Sequence, residues 1–443
     1  MLSPAQKVAK KDDERTAKKA TNHAMLHNSW YPIDMKTNHY QFDALPRNLS
    51  FATIAFRRTS IVNVFLRFMT PSLVQRIIDA TPTERWVLNA KSRHYIPHTL
   101  SDMYKYMSIY ILIQGNQGYR AADSTARKGQ NDGVKMACNH FNNFDQKPPG
   151  VSVVDTAMSR IIITSDLEEE LSMNFQKVIQ NIGQTACADE KLYHYTGQSG
   201  FIKQVLNKPA RIGHWFYQLT VSFSSGRIFL MYMKIHNSIA GVSTIPVSTI
   251  VNDWINVVHR NGITGVDFNP NTVLVFDSYY TSADSIKLLR DAVPKIFWIG
   301  GVNRQRFKTM ADALEEKVSK PGHWVGMYNP EQEECFVYYW TLSNNGDKKF
   351  VSGNCHIERT KLVRDLPTTT IPLYDAYSAT YGYCDQLNKS LAGCTYPYKR
   401  GGKGHLGFMG NISDFYFTCI LKNTVAVYQE LLPTSAQELM SYV

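Results

Sequence analysis

Residues 271–282 read Asn-Thr-Val-Leu-Val-Phe-Asp-Ser-Tyr-Tyr-Thr-Ser, and the order of residue types in this stretch decides the class of fold. Asn271 to Phe276 is a short apolar run, fit for a central strand buried on both faces. Asp277 ends it, a loop follows, and Ala283 to Ala292 has the spacing of a helix, with Ile286 and Leu289 on one face and Arg290 beside them. Ile296 to Val302 is the next strand. Strand, acid, helix, strand is an α/β unit, and in such sheets functional groups gather at the carboxyl ends of the strands.

Upstream, Ser165 followed three residues later by Glu168 reads as a capping box, opening a helix that carries Leu167, Leu171, Phe175, Val178 and Ile182 and stops at Gly183. The period then becomes strand-like. Phe216 to Phe223 alternates, Ser224, Ser225 and Gly226 turn the chain, and Arg227 to Ile235 returns. Earlier still the punctuation is helical: Thr70 before Pro71 starts a helix with Leu73, Val74, Ile77 and Ile78, and Ser101 starts another that stops at Gly115. Residues 121–151, rich in Asn, Lys, Gly and Pro, read as a linker. Residues 1–45 are expected to be a basic flexible tail, most clearly over 1–24, where Lys and Arg alternate with Asp12, Asp13 and Glu14 and little apolar surface offsets the entropy of ordering.

Downstream, 305–370 reads as an insertion, with a helix near Met310 to Val318 and a hairpin pairing Cys335–Thr341 with Lys349–Gly353 through Asn344, Asn345 and Gly346. A helix from Ser413 to about Leu432, apolar on several faces, closes the chain.

The 443 residues suffice for more than one core. The longest apolar stretches, near Tyr106–Ile113 and Ile228–Met233, are far shorter than the ~18–20 residues that cross a bilayer, so no membrane partner is expected, and the charged first 24 residues are not a secretory signal. A formal charge of +11 favours a polyanionic partner, because surface Lys and Arg attract phosphates and release their counterions. The 7 cysteines contain no C-x-x-C pair, so they spell neither a zinc module nor a disulfide framework and read as reduced, mostly buried thiols. His194, His214 and His259 lack ligand spacing and read as structural.

Asp189, closing Thr185-Ala186-Cys187-Ala188, and Asp277 stand where acids suit a hard divalent cation, which takes oxygen ligands. Taken bare, an aspartate at a strand end more often caps a helix or closes a turn.

A wider pattern singles these two out. Leu171–Lys177 (L-S-M-N-F-Q-K) resembles the L-x-x-N-F-x-K helix of the piggyBac family of DDE transposases, and Asp189, Glu190, Tyr195 and Gly197 fall on its D-E-x(4)-F-x-G pattern. Asn207, Lys208, Pro209 and Gly213 resemble its K-P-x-K-x-G segment, and D-S-Y-Y-T-S from Asp277 is similar to its D-N-x-F-T-S. Gly301 to Arg304 resemble G-T-V-R, and Trp340 with Phe350, Val351 and Ser352 resemble the hairpin that follows. The third motif, Y-N-x-Y-x-G-G-V-D-x-x-D-Q-L, is matched without gaps by Tyr374, Asp375, Tyr377, Asp385, Gln386 and Leu387. The third catalytic aspartate then falls on Gly382, and Asp385 takes the neighbouring acid's place. A three-residue shift makes Asp385 the catalytic acid and Asn388 the neighbour, at the expense of the tyrosines. The ungapped register is preferred. Residues three apart on a helix share a face and differ by only ~4.5 Å along the axis, so Asp385 still stands as a third acid.

The resemblance spans about residues 60–430. It implies a ribonuclease-H-like core over 185–443 with the insertion, preceded by a helical dimerisation and DNA-binding region over 46–184. It implies Mg²⁺ or Mn²⁺ held by Asp189, Asp277 and Asp385, with hydrolysis of a DNA strand followed by in-line attack of the freed 3′-hydroxyl. Double-stranded DNA, a homodimer or a heteromer with related subunits, and the nucleus follow as expected partner, assembly and place. Lys208, Arg211 and Arg304, with Lys399, Arg400 and Lys403 in the loop Tyr396–His405, are candidate phosphate contacts; Arg306 is a further arginine that could face substrate. Many members carry a cysteine-rich module that reads transposon ends, and no such module is spelled here. The alternative reading is a catalytically silent DNA-binding or scaffolding protein derived from a transposase; a third is an unrelated nuclease on the same core.

Overall fold

The computed structural model describes residues 31–34, 43–45, 51–57, 59–79, 99–101, 104, 153–194, 202–205, 212–236, 245–260, 270–340, 347–357, 372–392 and 408–432. The tail over 1–24, the body of the helix expected from Ser101, the linker 121–151, the turn Asn344–Gly346 and the loop Tyr396–His405 lie outside them. The chain divides into two compact units, neither of them one continuous stretch. The first takes Met1–Phe51, Ile182–Asp189 and Pro246–Gly382; the second takes Ala52–Asn181, Glu190–Ile245 and Tyr383–Val443.

In the first unit the helices are α4 (Val247–Arg260), α5 (Ala283–Arg290), α6 (Lys308–Glu315) and α7 (Pro372–Thr380). Its strands are β1 (Tyr31–Asp34), β2 (Asp43–Leu45), the start of β5 (Thr185–His194), β9 (Val273–Phe276), β10 (Phe297–Gly301), β11 (Trp324–Asn329), β12 (Glu334–Trp340), β13 (Lys348–Gly353) and β14 (Cys355–Ile357). The sheet runs in the order β1-β11-β12-β13-β10-β9-β5. At its centre β5, β9 and β10 are parallel. All four residues of β9 are buried, as a strand covered on both faces requires. Val273 and Val275 join Ile299, Val337 and Val351 in one apolar cluster, while Phe276 stacks on Trp298 with ring centroids 5.9 Å apart. Helix α5 begins at Ser282, whose hydroxyl accepts the Ser285 N–H at 3.2 Å.

The segment expected to be an insertion adds strands to this same sheet. β13 pairs antiparallel with β10, β12 with β13, and β11 with β12. The hairpin falls at the expected residues to within one position. Strand β11 was not expected, although its first five residues alternate between buried and half-buried. The expectation of a flexible tail is corrected over its last residues: β1 pairs with β11, and β2 pairs with β14. Unpaired N–H and C=O groups along an edge strand accept such a segment whatever its mean hydropathy.

In the second unit the helices are α1 (Ile61–Phe68), α2 (Pro71–Asp79), α3 (Val153–Gln176), α8 (Tyr383–Ala392) and α9 (Phe408–Leu431). Its strands are β3 (Thr53–Ile54), β4 (Ile179–Asn181), β6 (Ile202–Gln204), β7 (Ile212–Ser222), β8 (Ile228–Ile235) and the end of β5. The hairpin β7–β8 forms as expected, turned at Gly226, whose φ of 76° suits glycine. Thr70 caps α2, accepting the Leu73 N–H at 3.2 Å.

Helix α3 departs from expectation at both ends. It starts 12 residues before Ser165 and stops at Gln176, and Ile179–Asn181 is a strand paired with β3. Leu167, Leu171 and Phe175 are buried as expected, but Glu168 does not close a capping box. Its carboxylate instead accepts the Ile235 N–H at 2.8 Å and the Tyr416 hydroxyl at 2.7 Å. Two more helix side chains treat β8 the same way. Asn423 of α9 bonds both the N–H and C=O of Leu230, at 2.9 and 2.8 Å, and Ser172 of α3 bonds the N–H of Met233 at 3.3 Å. The outward backbone groups of β8 are thus paired by side chains where another strand would otherwise pair them.

The five described cysteines are buried free thiols. Among the described residues no helix is long and apolar enough to cross a membrane.

Candidate active site

The register of three parallel strands brings the two acids together. Thr185 pairs with Val273 and Ala188 with Phe276, so Asp189, midway along β5, and Asp277, just after β9, both come one residue past the last paired positions of adjacent strands. Adjacent strands lie ~4.8 Å apart. Gly300 of β10 pairs with Phe276 in turn, which puts Gly301 at the matching place on the third strand. Both acids are half-buried.

The loop after Asp277 is held from two sides. Asp277 Oδ1 accepts the Tyr279 N–H at 3.2 Å, and its carbonyl accepts the Tyr280 N–H at 3.1 Å. The turn role available to a strand-end aspartate is therefore present, and it leaves the other carboxylate oxygen of Asp277 outside the turn. Arg306 closes the loop from outside, donating from Nη1 to the carbonyls of Ser278 (3.2 Å), Tyr279 (2.7 Å) and Thr281 (3.2 Å). Its guanidinium is committed to shaping this loop.

Behind the acids stands Tyr377 of α7. A Cβ at Gly301 would lie 2.9 Å from the Tyr377 hydroxyl and 3.1 Å from the Ser278 nitrogen, so the absence of a side chain there gives the phenol its place. Burial pushes the Tyr377 hydroxyl well above its ordinary value, and the charges of Asp277, Cys187, Tyr381 and Asp189 push it the same way. It is a protonated donor at neutral pH, within electrostatic reach of both acids. Tyr381 stacks on it, with centroids 5.0 Å apart and planes within 4°, and the Cys187 thiol donates to the Tyr381 carbonyl at 3.3 Å.

The third motif folds otherwise than a single helix. Helix α7 ends at Thr380, Tyr381 and Gly382 form a turn, and α8 starts at Tyr383. Gly382 thus precedes the helix that carries Asp385, which removes the argument that the two share a helical face. Along α8, Cys384, Leu387 and Leu391 are buried and Asp385 is exposed. Asp189 and Asp277 belong to the first unit, and Asp385 to the second. Among the described residues no group of three His, Cys, Asp or Glu side chains is gathered as a metal site.

Arg304 pairs with Asp312 at 3.0 Å and Glu315 at 2.5 Å, and Lys348 shares Glu315 at 2.6 Å. Its charge is engaged on α6. His214 is buried, and His259 Nε2 lies 2.9 Å from the Pro294 carbonyl. Lys208, Arg211, Lys399, Arg400 and Lys403 lie outside the described residues. Tyr377 and Gly301 were in view only as motif positions, and Tyr381 was missed. The signal for a tyrosine face was the spacing of Tyr374, Tyr377 and Tyr381 by three and four residues.

No family model and no curated protein matches the chain. Its structure is similar to that of the piggyBac transposase in a cryo-EM structure of the synaptic complex with hairpin DNA, with a TM-score of 0.65 and 12% identity over 88% of this chain and 79% of that one. At that identity the likeness is one of fold: the chain has an α/β, ribonuclease-H-like fold of the kind seen in that transposase.

Proposed function

We propose that this chain is a piggyBac-like DNA transposase or a protein derived from one, working on double-stranded DNA in the nucleus as a dimer or with related subunits. The observation that carries the reading is the pair Asp189 and Asp277, each one residue past the last paired position of adjacent, in-register parallel strands. The similar fold of a transposase bound to DNA and the +11 charge of the chain support it.

The donor set fits a hard divalent cation. Two carboxylate groups, one already fixed by its turn, offer oxygen ligands on one side of the sheet, and Mg²⁺ commonly takes one or two carboxylates and completes its shell with water and phosphate. Asp189 and Asp277 would hold Mg²⁺ or Mn²⁺, which supplies charge neutralisation at the phosphodiester and a more acidic water. The protein's own share is positioning: Arg306 fixes the loop that aims Asp277, and Tyr377 keeps a protonated hydroxyl beside the pair. Asp385 is proposed as the third acid, and on that proposal Asp385→Asn should abolish nicking as well.

Gly382 at the third acid's ungapped place favours a second reading, a protein that binds DNA without cutting it. Incubation of the purified chain with supercoiled plasmid and Mn²⁺ separates the two. Nicking that disappears in Asp189→Asn and in Asp277→Asn supports the transposase reading. DNA binding with a steep salt dependence and no nicking supports the silent one. Nicking that survives both substitutions removes the proposed site.

A further inference from the structure

The region of the first unit that carries the two acids also carries a graded row of tyrosines. From Tyr339 of β12 through Tyr374 and Tyr377 to Tyr381, successive ring centroids lie 5.1, 6.5 and 5.0 Å apart. The inner three rings are half-buried, and the outermost, Tyr381, is 46% exposed. Its inner face is covered by the parallel ring of Tyr377, and its backbone is tied to Cys187, two residues before Asp189 on β5. A large aromatic ring is thus held in a fixed plane beside the acids with part of its surface left to solvent. A second exposed ring, Tyr279, follows Asp277 by two residues at 40% exposure, with the Arg306 guanidinium 5.8 Å from its centroid.

A rigid aromatic ring costs little conformational entropy when it is covered by a ligand, and every nucleobase has a π-face to offer. A base inside a duplex has both faces covered by its neighbours, so only an unpaired or extruded base can stack on a protein ring. We propose that Tyr381 is a stacking platform for an unpaired nucleobase of the DNA strand whose phosphate lies at Asp189 and Asp277. The inference deepens the transposase reading and rests on it: the substrate state recognised at this site has at least one base out of the duplex beside the scissile phosphate.

The test uses the full chain in Ca²⁺ buffer and two probes, a blunt DNA duplex and the same duplex extended by a short single-stranded tail containing 2-aminopurine. Wild type is expected to bind the tailed probe more tightly and to quench its 2-aminopurine. Tyr381→Ala should lower the tailed-to-blunt affinity ratio roughly tenfold and abolish the quenching, and Tyr381→Phe should retain both. Thermal melting checks that the Ala variant is folded; Tyr381→Leu, which keeps apolar bulk without a ring, replaces it if it is not. An unchanged ratio and unchanged quenching in the Ala or Leu variant overturn the platform, while the transposase reading still stands or falls by metal-dependent nicking. Wild type that binds neither probe overturns both.

Discussion

The two units hold carboxylates in opposite ways. In the first, Asp189 and Asp277 stand half-buried just past the last paired residues of two parallel strands. In the second, Glu168 is sealed inside, and its carboxyl ties α3 to β8 and α9 through Ile235 and Tyr416. Burial raises the Glu168 carboxyl to about 8, against the smaller lowering pulls of Tyr416, Ile235 and Lys234. The pair on adjacent strands is the one proposed above to share a cation with substrate. The enclosed carboxyl is a structural hydrogen-bonding group that spends neutral pH largely protonated. The same functional group is thus half-open to solvent or a buried clamp according to what surrounds it.

The sharpest break of this contrast is a Mn²⁺ titration by calorimetry. Asp277→Asn should abolish binding, and Glu168→Gln should leave it unchanged. If the two variants behave alike, the division of roles is wrong.

Next in size is Glu168→Ala, which leaves the Ile235 N–H and the Tyr416 hydroxyl unpaired in the interior and opens a cavity. A loss of about 3–5 kcal/mol is expected by denaturant unfolding. Glu168→Gln keeps an acceptor and should cost less. The sign of the pH dependence follows from the raised value. The folded state holds the proton from the ordinary value of 4.5 up to about 8 while the unfolded state releases it, so this carboxyl's contribution is complete below 4.5 and is lost as pH rises towards 8. The wild-type stability minus that of Glu168→Gln should therefore fall over this range. A difference that stays flat would show that the carboxyl ionises as freely inside as outside.

Gly301→Ala tests the other region. The added methyl meets the Tyr377 hydroxyl at 2.9 Å and the Ser278 nitrogen at 3.1 Å, for an expected loss of about 1–3 kcal/mol. Combining it with Tyr377→Phe should recover part of that loss, a coupling that a double-mutant cycle reads directly. Smallest is Arg304→Ala. Its side chain is 54% exposed, so the loss of its two solvent-screened ion pairs should leave the midpoint of denaturant unfolding almost unmoved.

Gly382→Asp returns to the missing acid. Gly382 is not among the described glycines with positive φ, so the backbone admits a side chain. A carboxylate there is expected to tighten Mn²⁺ binding in the same titration, and unchanged affinity would mean that position 382 does not face the pair.

What the chain's order of residues determined alone was short-range. Four apolar residues before Asp277 and a serine cap after it dictate β9 and α5 through local geometry and burial, and Asp277 could be located from that arrangement. The hairpins β7–β8 and β12–β13 were legible for the same reason. What only tertiary structure decided was which partner wins a group with several to choose from. Ser165 and Glu168 have the spacing of a helix start, yet Glu168 is claimed by residues 67 and 248 positions away, and the helix runs on through Ser165 because its apolar face has β8 to cover. β1 exists because β11 leaves an edge open. Tyr377 reaches the acids because Gly301, on another strand, has no side chain, and the turn at Gly382 separates the third motif's last acid from its tyrosines. Local sequence sets what each residue is able to do, whereas distant packing partners choose among those abilities, because burying a polar group without a partner costs more than any local preference.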